Sequence, residues 1–574
     1  MSANYDVVIR NGLVHDGLGG PPVEADVAVK DGKIAAVGKN LGSGAEEIDA
    51  RDKLVTPGFV DVHTHYDGQV TWDDRLQPSS WHGVTTIVMG NCGVGFAPCR
   101  PDDRDRLVRL MEGVEDIPFP VLQEGLPWNW KSFPEYLDAL DARRTDIDFA
   151  AQLPHAAVRV NVMGERGANR DPATADDIAR MAEIAAEAMT AGALGFSTSR
   201  TINHRDAAGN PTPTLTAAEE ELMGIAMGLK KAGKGVLQFV TDFPDVDAEF
   251  GMMRRLVEQS GRPMSFSLVQ SDRAPENWKK IMGKLDEAVL AGLEMKAQVC
   301  GRPVGIMLGL ELTLNPFSYR PTFREIADLP LAEKVKALRD PDFRARLFMD
   351  EPTSKHAIAR NWLNDFDQMW LITHQPDYEQ DGSHTIAARA KAAGVAPDAF
   401  ALDHMLENGG RSMIYLPFLN YVDRNLDPQL TMMKSPNTIL GLSDGGAHVG
   451  TICDGSFPTS MLVHWTRDRT RGERLPVEWV IKAQSHDTAR ALGLHDRGVL
   501  KPGYKADLNV IDYDGLSLYA PEVRYDLPSG GRRLVQRADG YTATMVSGQI
   551  TYRDGVETSA LPGRLVRGAQ AAPA

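Results

Sequence analysis

The residues best suited to chemistry are two histidines spaced two apart. His63 and His65 end PGFVDVHTH (57–65), an apolar, strand-like run opened by a Pro-Gly turn. Residues i and i+2 of a strand point the same way, so both imidazoles face one side. At the end of an apolar barrel strand that side is the interior, where two neutral imidazoles make half of a metal site. Asp444 lies in GLSDGGAH (441–448), which closes on His448. A buried carboxylate at a strand end is costly unless paired or metal-bound. Alone it would read as a helix N-cap or an Asx-turn. Together with the histidine pair it reads as a metal ligand and as the group that takes a proton from water. Cys92, in Gly90-Asn91-Cys92-Gly93, either ligates metal as a thiolate or is a small buried apolar side chain.

Other residues stand near the same strand ends. His155 closes FAAQLPH and His204 follows in TSRTINHR; each either contacts substrate or metal or is a hydrogen-bonded loop histidine. Arg159, Arg200 and Arg205 are candidates for gripping a substrate carboxylate in a bidentate contact, with an ordinary surface role as the alternative. His448 joins this substrate-binding set. Cys99, Cys300 and Cys453 read as inert, and Met252, Met253, Met432 and Met433 as core fillers.

These residues need a scaffold whose strand ends converge. The middle of the chain alternates short apolar runs with helical patterns, the grammar of βα units. Eight strands are expected, at 58–65, 85–93, 149–155, 193–199, 235–240, 264–270, 295–301 and 439–446. Helical patterns such as 176–192 and 217–233 separate them. The expected fold is α/β: a (β/α)8 TIM-like barrel over 57–489 with its active site at the C-terminal strand ends. The long gap before the eighth strand holds an insertion at about 305–435, including a helical stretch at 331–351, expected to cover the barrel mouth. The ends differ in character. Residues 1–56 read as hairpins broken at Asn11-Gly12 and Asp31-Gly32, and 506–514 and 542–555 look alike. They predict a small β-sandwich domain built from 1–56 and 490–560. The Ala/Pro-rich end of 561–574 is expected to be a flexible tail.

Composition narrows the function. The 574 residues carry 62 Lys plus Arg against 78 Asp plus Glu, a net charge of −16. That balance disfavours nucleic acid and an anionic membrane surface as partners and leaves a small-molecule substrate. Four cysteines are too few for a disulfide framework. With no signal-like N-terminus and no long apolar span, a cytoplasmic chain is expected. Self-association into a homo-oligomer is left open.

The motifs PGFVDVHTHYD, GNCG, ALGFSTS, LSDGGAH and the run at 498–512 resemble the amidohydrolase superfamily, and within it the N-acyl-D-amino-acid deacylase (D-aminoacylase) group. The resemblance covers nearly the whole chain outside the insertion. It implies a metal-dependent hydrolase of amide or related C–N bonds. It also implies metal-site positions at His63, His65, Cys92 and Asp444, with Asp444 as general base. The deacylases carry further histidines on strands five and six; here Gln238 and Leu268 stand at those positions. Leucine cannot ligate, and an amide oxygen is a weak donor to zinc. One tightly held divalent ion is therefore expected, zinc being favoured by imidazole and thiolate. The leading reading is hydrolysis of an N-acyl amino acid or related small amide. Alternatives are a lactone, a cyclic imide or a C–C bond on the same fold and metal, or a catalytically retired binding barrel.

Overall fold

The computed structural model describes residues 3–353 and 362–573. Its centre is an eight-stranded parallel sheet in which the strands follow one another in sequence order. They are Phe59–Asp61, Val84–Met89, Asp148–Pro154, Gly195–Arg200, Val236–Thr241, Met264–Ser267, Met295–Val299 and Thr438–Leu440. All eight expected strands are present, several of them shorter than their apolar runs. The sheet curls until its first and last members meet beyond their strand ends. There the Asp444 N–H donates to His63 O at 3.1 Å and the His65 N–H to Gly445 O at 2.8 Å. The fold is thus mixed α/β with a TIM-like curled parallel sheet.

Helices pack outside it for reasons visible in their sequences. Ala175–Ala191 starts with a capping box between Thr174 and Asp177 and stops at Gly192, whose φ is +112°. It lies against Glu219–Ala232, with Met181, Ile184 and Ala185 turned into the barrel core.

A second, nine-stranded sheet draws on both ends of the chain. Leu54–Pro57 pairs with Leu508–Ile511, which pairs in turn with Tyr541–Val546. Buried ion pairs clamp the barrel to this sheet. Asp148 Oδ2 accepts from Arg497 at 2.7 Å and Lys505 Nζ at 2.8 Å, and Arg497 also reaches Thr86 Oγ1 at 2.8 Å. Residues 561–573, expected to be a flexible tail, instead line the barrel. The Phe149 N–H donates to Arg564 O, the Val566 N–H to Phe149 O, and Leu565 and Val566 are buried. Apolar Leu565 and Val566 gain more by packing on strand three than the Ala/Pro composition suggests.

Within the insertion, Val304–Leu308, Ile414–Leu419 and Trp370–Leu371 form an antiparallel sheet. Helices including Leu331–Arg339 and Pro341–Met349 share an apolar core with it. Its base is stitched to the loop after strand eight, the Met307 N–H donating to Thr451 O at 2.7 Å and the Thr313 N–H to Gly450 O at 3.1 Å. No helix among the described residues is long and apolar enough to cross a membrane.

Burial would raise the Asp148 carboxyl, but Lys505 and Arg497 override it and hold the group below its ordinary value. A depressed carboxylate contributes stability above its unfolded-state pKa and loses it as pH falls through the folded one. Asp148→Asn should therefore cost about 3 kcal/mol at neutral pH, the range for breaking a buried pair. The gap between variant and parent urea midpoints should close as pH drops below about 4, where Asp148 also begins to protonate in the unfolded chain. An unchanged midpoint at pH 7 would refute the clamp.

Candidate active site and its metal-ligand cluster

The histidine pair lies just past the end of strand one, held by the residue between its members. Thr64 donates to Val88 O through both its N–H, at 3.0 Å, and its hydroxyl, at 2.8 Å. That fixes the main chain against strand two and leaves His63 and His65 buried, ring centroids 5.5 Å apart. On the other side of the seam, Gly446 has φ +85°, and a Cβ there would lie 3.1 Å from His65 backbone atoms. The positive φ and the tight crossing together favour glycine. Cys92, Asp444 and His448 are non-glycine residues in the left-handed region, at φ 55°, 50° and 49°. Such conformations persist only where surrounding structure enforces them, and they cluster at functional sites.

The cluster has the dimensions of a metal site. His63 Nε2 lies 3.2 Å from Cys92 Sγ and 3.4 Å from Asp444 Oδ1, and His65 Nε2 lies 3.6 Å from the same oxygen. Zinc bonds to nitrogen, oxygen and sulfur set the edges of a ligand tetrahedron at roughly 3.3–3.8 Å. Donor atoms of His63, His65 and Cys92 all fall within 4.8 Å of one another. Both ring nitrogens of His65 are buried without a hydrogen-bond partner, which a buried polar group tolerates poorly. The residues present fit a divalent cation.

His63 and Asp444 are electrostatically set for ligation, whereas Cys92 and His65 hold protons that a cation would have to displace. Burial lowers His63 to about 4, favouring the neutral ring that ligation needs. Burial would raise Asp444, but the nearby His65 and His63 rings outweigh it and hold the carboxyl well below the usual range. Burial pushes the Cys92 thiol up to about 12. Burial would lower His65, but Glu115 and Cys92 outweigh it and raise the ring well above its ordinary value.

Of the remaining candidates, His204 feels the charges of the cluster and His448 faces Glu115, while the other four are bonded elsewhere. His204 accepts or donates at Nδ1 with Ser199 Oγ, 2.8 Å away, and burial lowers it to about 3, with the charges of His448 and His65 adding to the effect. His448 Nε2 lies 3.5 Å from Glu115 Oε2. His155 and Arg159 are turned away into a closed ion-pair network: His155 Nε2 and Arg159 Nε each lie 2.9 Å from Glu221 Oε1. Thr198 Oγ1 takes the other ring nitrogen of His155, and Gly167 O and Asp171 O take the remaining donors of Arg159, so neither is left free for a substrate. Arg200 is likewise held, by both oxygens of Glu249 at 2.8 and 3.1 Å. Arg205 is partly buried and donates to Gly209 O at 2.9 Å. Gln238 is buried with both side-chain polar atoms unpaired, and Leu268 is buried.

Two participants were not anticipated. Gln298, on strand seven, accepts from His63 Nδ1 at 2.7 Å and donates to Ser265 Oγ at 2.9 Å, so its amide is oriented and His63 presents Nε2 to the cluster. Glu115, 1% exposed, lies 3.2 Å from His65 Nδ1. Its signal in the sequence is a carboxylate in the last turn of a helix, the end where the macrodipole disfavours it.

Comparison with known proteins identifies the family. Residues 46–552 match the Amidohydrolase family. D-aminoacylase of Alcaligenes xylosoxydans xylosoxydans is 26% identical over 98% of each chain. N-acyl-D-glutamate deacylase of the same organism is 27% identical over 90% of this chain and 88% of its own. The crystal structure of N-acyl-D-glutamate deacylase from Bordetella bronchiseptica, complexed with zinc and a phosphonate inhibitor, superposes with a TM-score of 0.64 at 22% identity, covering 98% of this chain and 99% of that one. With these matches and the strand-end cluster together, the chain belongs to the amidohydrolase family, in its D-aminoacylase-like group, and is a hydrolase of C–N bonds other than peptide bonds.

Proposed function

We propose that the protein hydrolyses the amide bond of an N-acyl amino acid or a related small amide, using one divalent cation held by His63, His65 and Asp444 with Cys92 beside it. The observation that carries this reading is the set of donor separations, 3.2, 3.4 and 3.6 Å, among His63, Cys92, Asp444 and a buried His65 whose ring nitrogens have no hydrogen-bond partner. Two imidazoles, a thiol and a carboxylate favour zinc among divalent ions. The names of the relatives, D-aminoacylase and N-acyl-D-glutamate deacylase, support the substrate class, and the zinc in the Bordetella structure supports the metal.

When bound, the cation supplies Lewis acidity to water and to the scissile carbonyl. The chain's own groups do the rest. Asp444, ionised at neutral pH, accepts a proton from the attacking water and passes it to the departing amine nitrogen. His63, fixed through Nδ1 by Gln298, and His65 keep the donors in place while the bond breaks. His204 and His448, at the same mouth, are the substrate-facing groups. Gln238 and Leu268 supply no second set of strong donors, hence a single ion.

Elemental analysis should find one tightly bound zinc-class ion per chain. His63→Ala should abolish both the ion and hydrolysis, whereas Gln238→Ala should retain the ion. Two tightly bound ions in the parent chain would overturn the single-ion reading. Among substrates, N-acetyl or N-succinyl amino acids should be cleaved, and EDTA should abolish turnover. Cleavage of lactones or cyclic imides alone would displace the amide reading.

A further inference from the structure

Glu115 is a buried carboxylate that the reading above does not use. Both its oxygens lie in the interior without a hydrogen-bond partner among the described residues. An isolated buried charge is among the most costly features a fold can carry. What faces it is one histidine on each side: His65 Nδ1 at 3.2 Å from Oε1 and His448 Nε2 at 3.5 Å from Oε2. The first belongs to the cation cluster, the second to the loop after strand eight.

The chain goes to some length to bring Glu115 there. It ends the helix Arg104–Glu115, and the next residue, Asp116, turns out of the helix at φ 54°. Two residues earlier, Gly113 lies against the loop after strand four so closely that a Cβ would come within 2.2 Å of Asp206 C and 2.3 Å of Arg205 O. No larger residue permits that approach. The Val449 N–H donates to Glu115 O at 3.3 Å, and Asp116 Oδ2 accepts from Thr313 Oγ1 of the insertion at 2.8 Å. Three segments therefore meet the helix end that carries Glu115: the strand-four loop, the strand-eight loop and the insertion.

We propose that Glu115 is a positioning residue that holds His65 from behind and His448 from the side, tying the cation's ligand to the substrate-facing histidine. A carboxylate on the far nitrogen of a ligating histidine fixes its tautomer and ring plane and makes it a better donor. His63 has the neutral Gln298 in that place, so the two histidines of the pair are unequal, and His65 is the stronger donor. Through Oε2 the same carboxylate orients His448, so the group that grips the cation also sets the grip on substrate. This inference rests on the cation reading above.

The test is cation affinity, measured by competition with a chromophoric chelator on zinc-depleted full-length chain, followed by kinetics at saturating zinc. Glu115→Gln keeps the shape and removes the charge. It should bind zinc 10–100-fold more weakly, the range for losing such a partner, with an unchanged far-ultraviolet circular dichroism spectrum. At saturating zinc its KM should rise more than its kcat falls. His448→Ala should reproduce the KM effect with parental zinc affinity, and Glu115→Asp should fall between parent and Glu115→Gln in affinity. Should Glu115→Gln fail to fold, Glu115→Asp decides, because retracting the carboxylate by one methylene must also weaken zinc. Parental affinity and KM in Glu115→Gln, or parental affinity in Glu115→Asp where only that variant folds, would overturn this assignment alone. A parent chain that binds no zinc would overturn the cation reading and this inference with it.

Discussion

The site exists because the sheet closes on itself. Two main-chain hydrogen bonds, from Asp444 to His63 and from His65 to Gly445, join the first barrel strand to the last across most of the chain. Buried Ser443 reinforces the seam by donating to Asp61 Oδ2, and its hydroxyl also lies 3.4 Å from His63 O. The separations of Asp444 from His63 and His65 are inherited from that register. A shift of one residue on either side would turn His63 and His65 toward the sheet's outer face and replace Asp444 by a serine or a glycine.

Closure in this form strains the backbone and buries charge. Three residues around the cluster occupy the left-handed region, and two buried carboxyls just beneath it have unusual protonation. Burial lifts both Asp61 and Asp67 to about 7. Asp67 Oδ2 accepts from the Gly90 N–H at 3.1 Å, which anchors the turn carrying Cys92. These carboxyls hold the loops rather than the cation: one braces the eighth strand and the other the second. The polar floor of the barrel is thus a set of braces, and the reacting groups stand above it.

Much of this was legible in the sequence, for identifiable reasons. The strands were readable because each is a short apolar run between helical patterns, and His63, His65, Cys92 and Asp444 because their types and strand-end positions are chemically unusual. For three candidates left with an alternative, the structure favours that alternative for one reason. His155, Arg159 and Arg200 sit beside strand ends as substrate groups would, but each finds a glutamate, Glu221 or Glu249, contributed by a helix that lies later in the chain. Sequence proximity to a strand end does not reveal such a partner. Glu115 was missed for the converse reason, since its two histidines come from segments 50 residues before it and more than 300 after it. The last residues were misjudged because composition registers Ala and Pro but not the two apolar side chains, Leu565 and Val566, that find a groove.

The nine-stranded sheet also has a consequence for how the protein is made. Its strand Leu54–Pro57 must wait for Leu508–Ile511, and about 450 residues of synthesis separate them, roughly half a minute to a minute and a half at ribosomal rates of about 5–20 residues per second. During that interval Val55, whose native neighbours include Val510, emerges with its partner not yet in existence. The barrel seam waits almost as long, since Asp444 also comes late. Until residue 511 is made, the edge of Leu54–Pro57 that Leu508–Ile511 covers has no native partner, and an uncovered strand edge is a template for pairing with other chains.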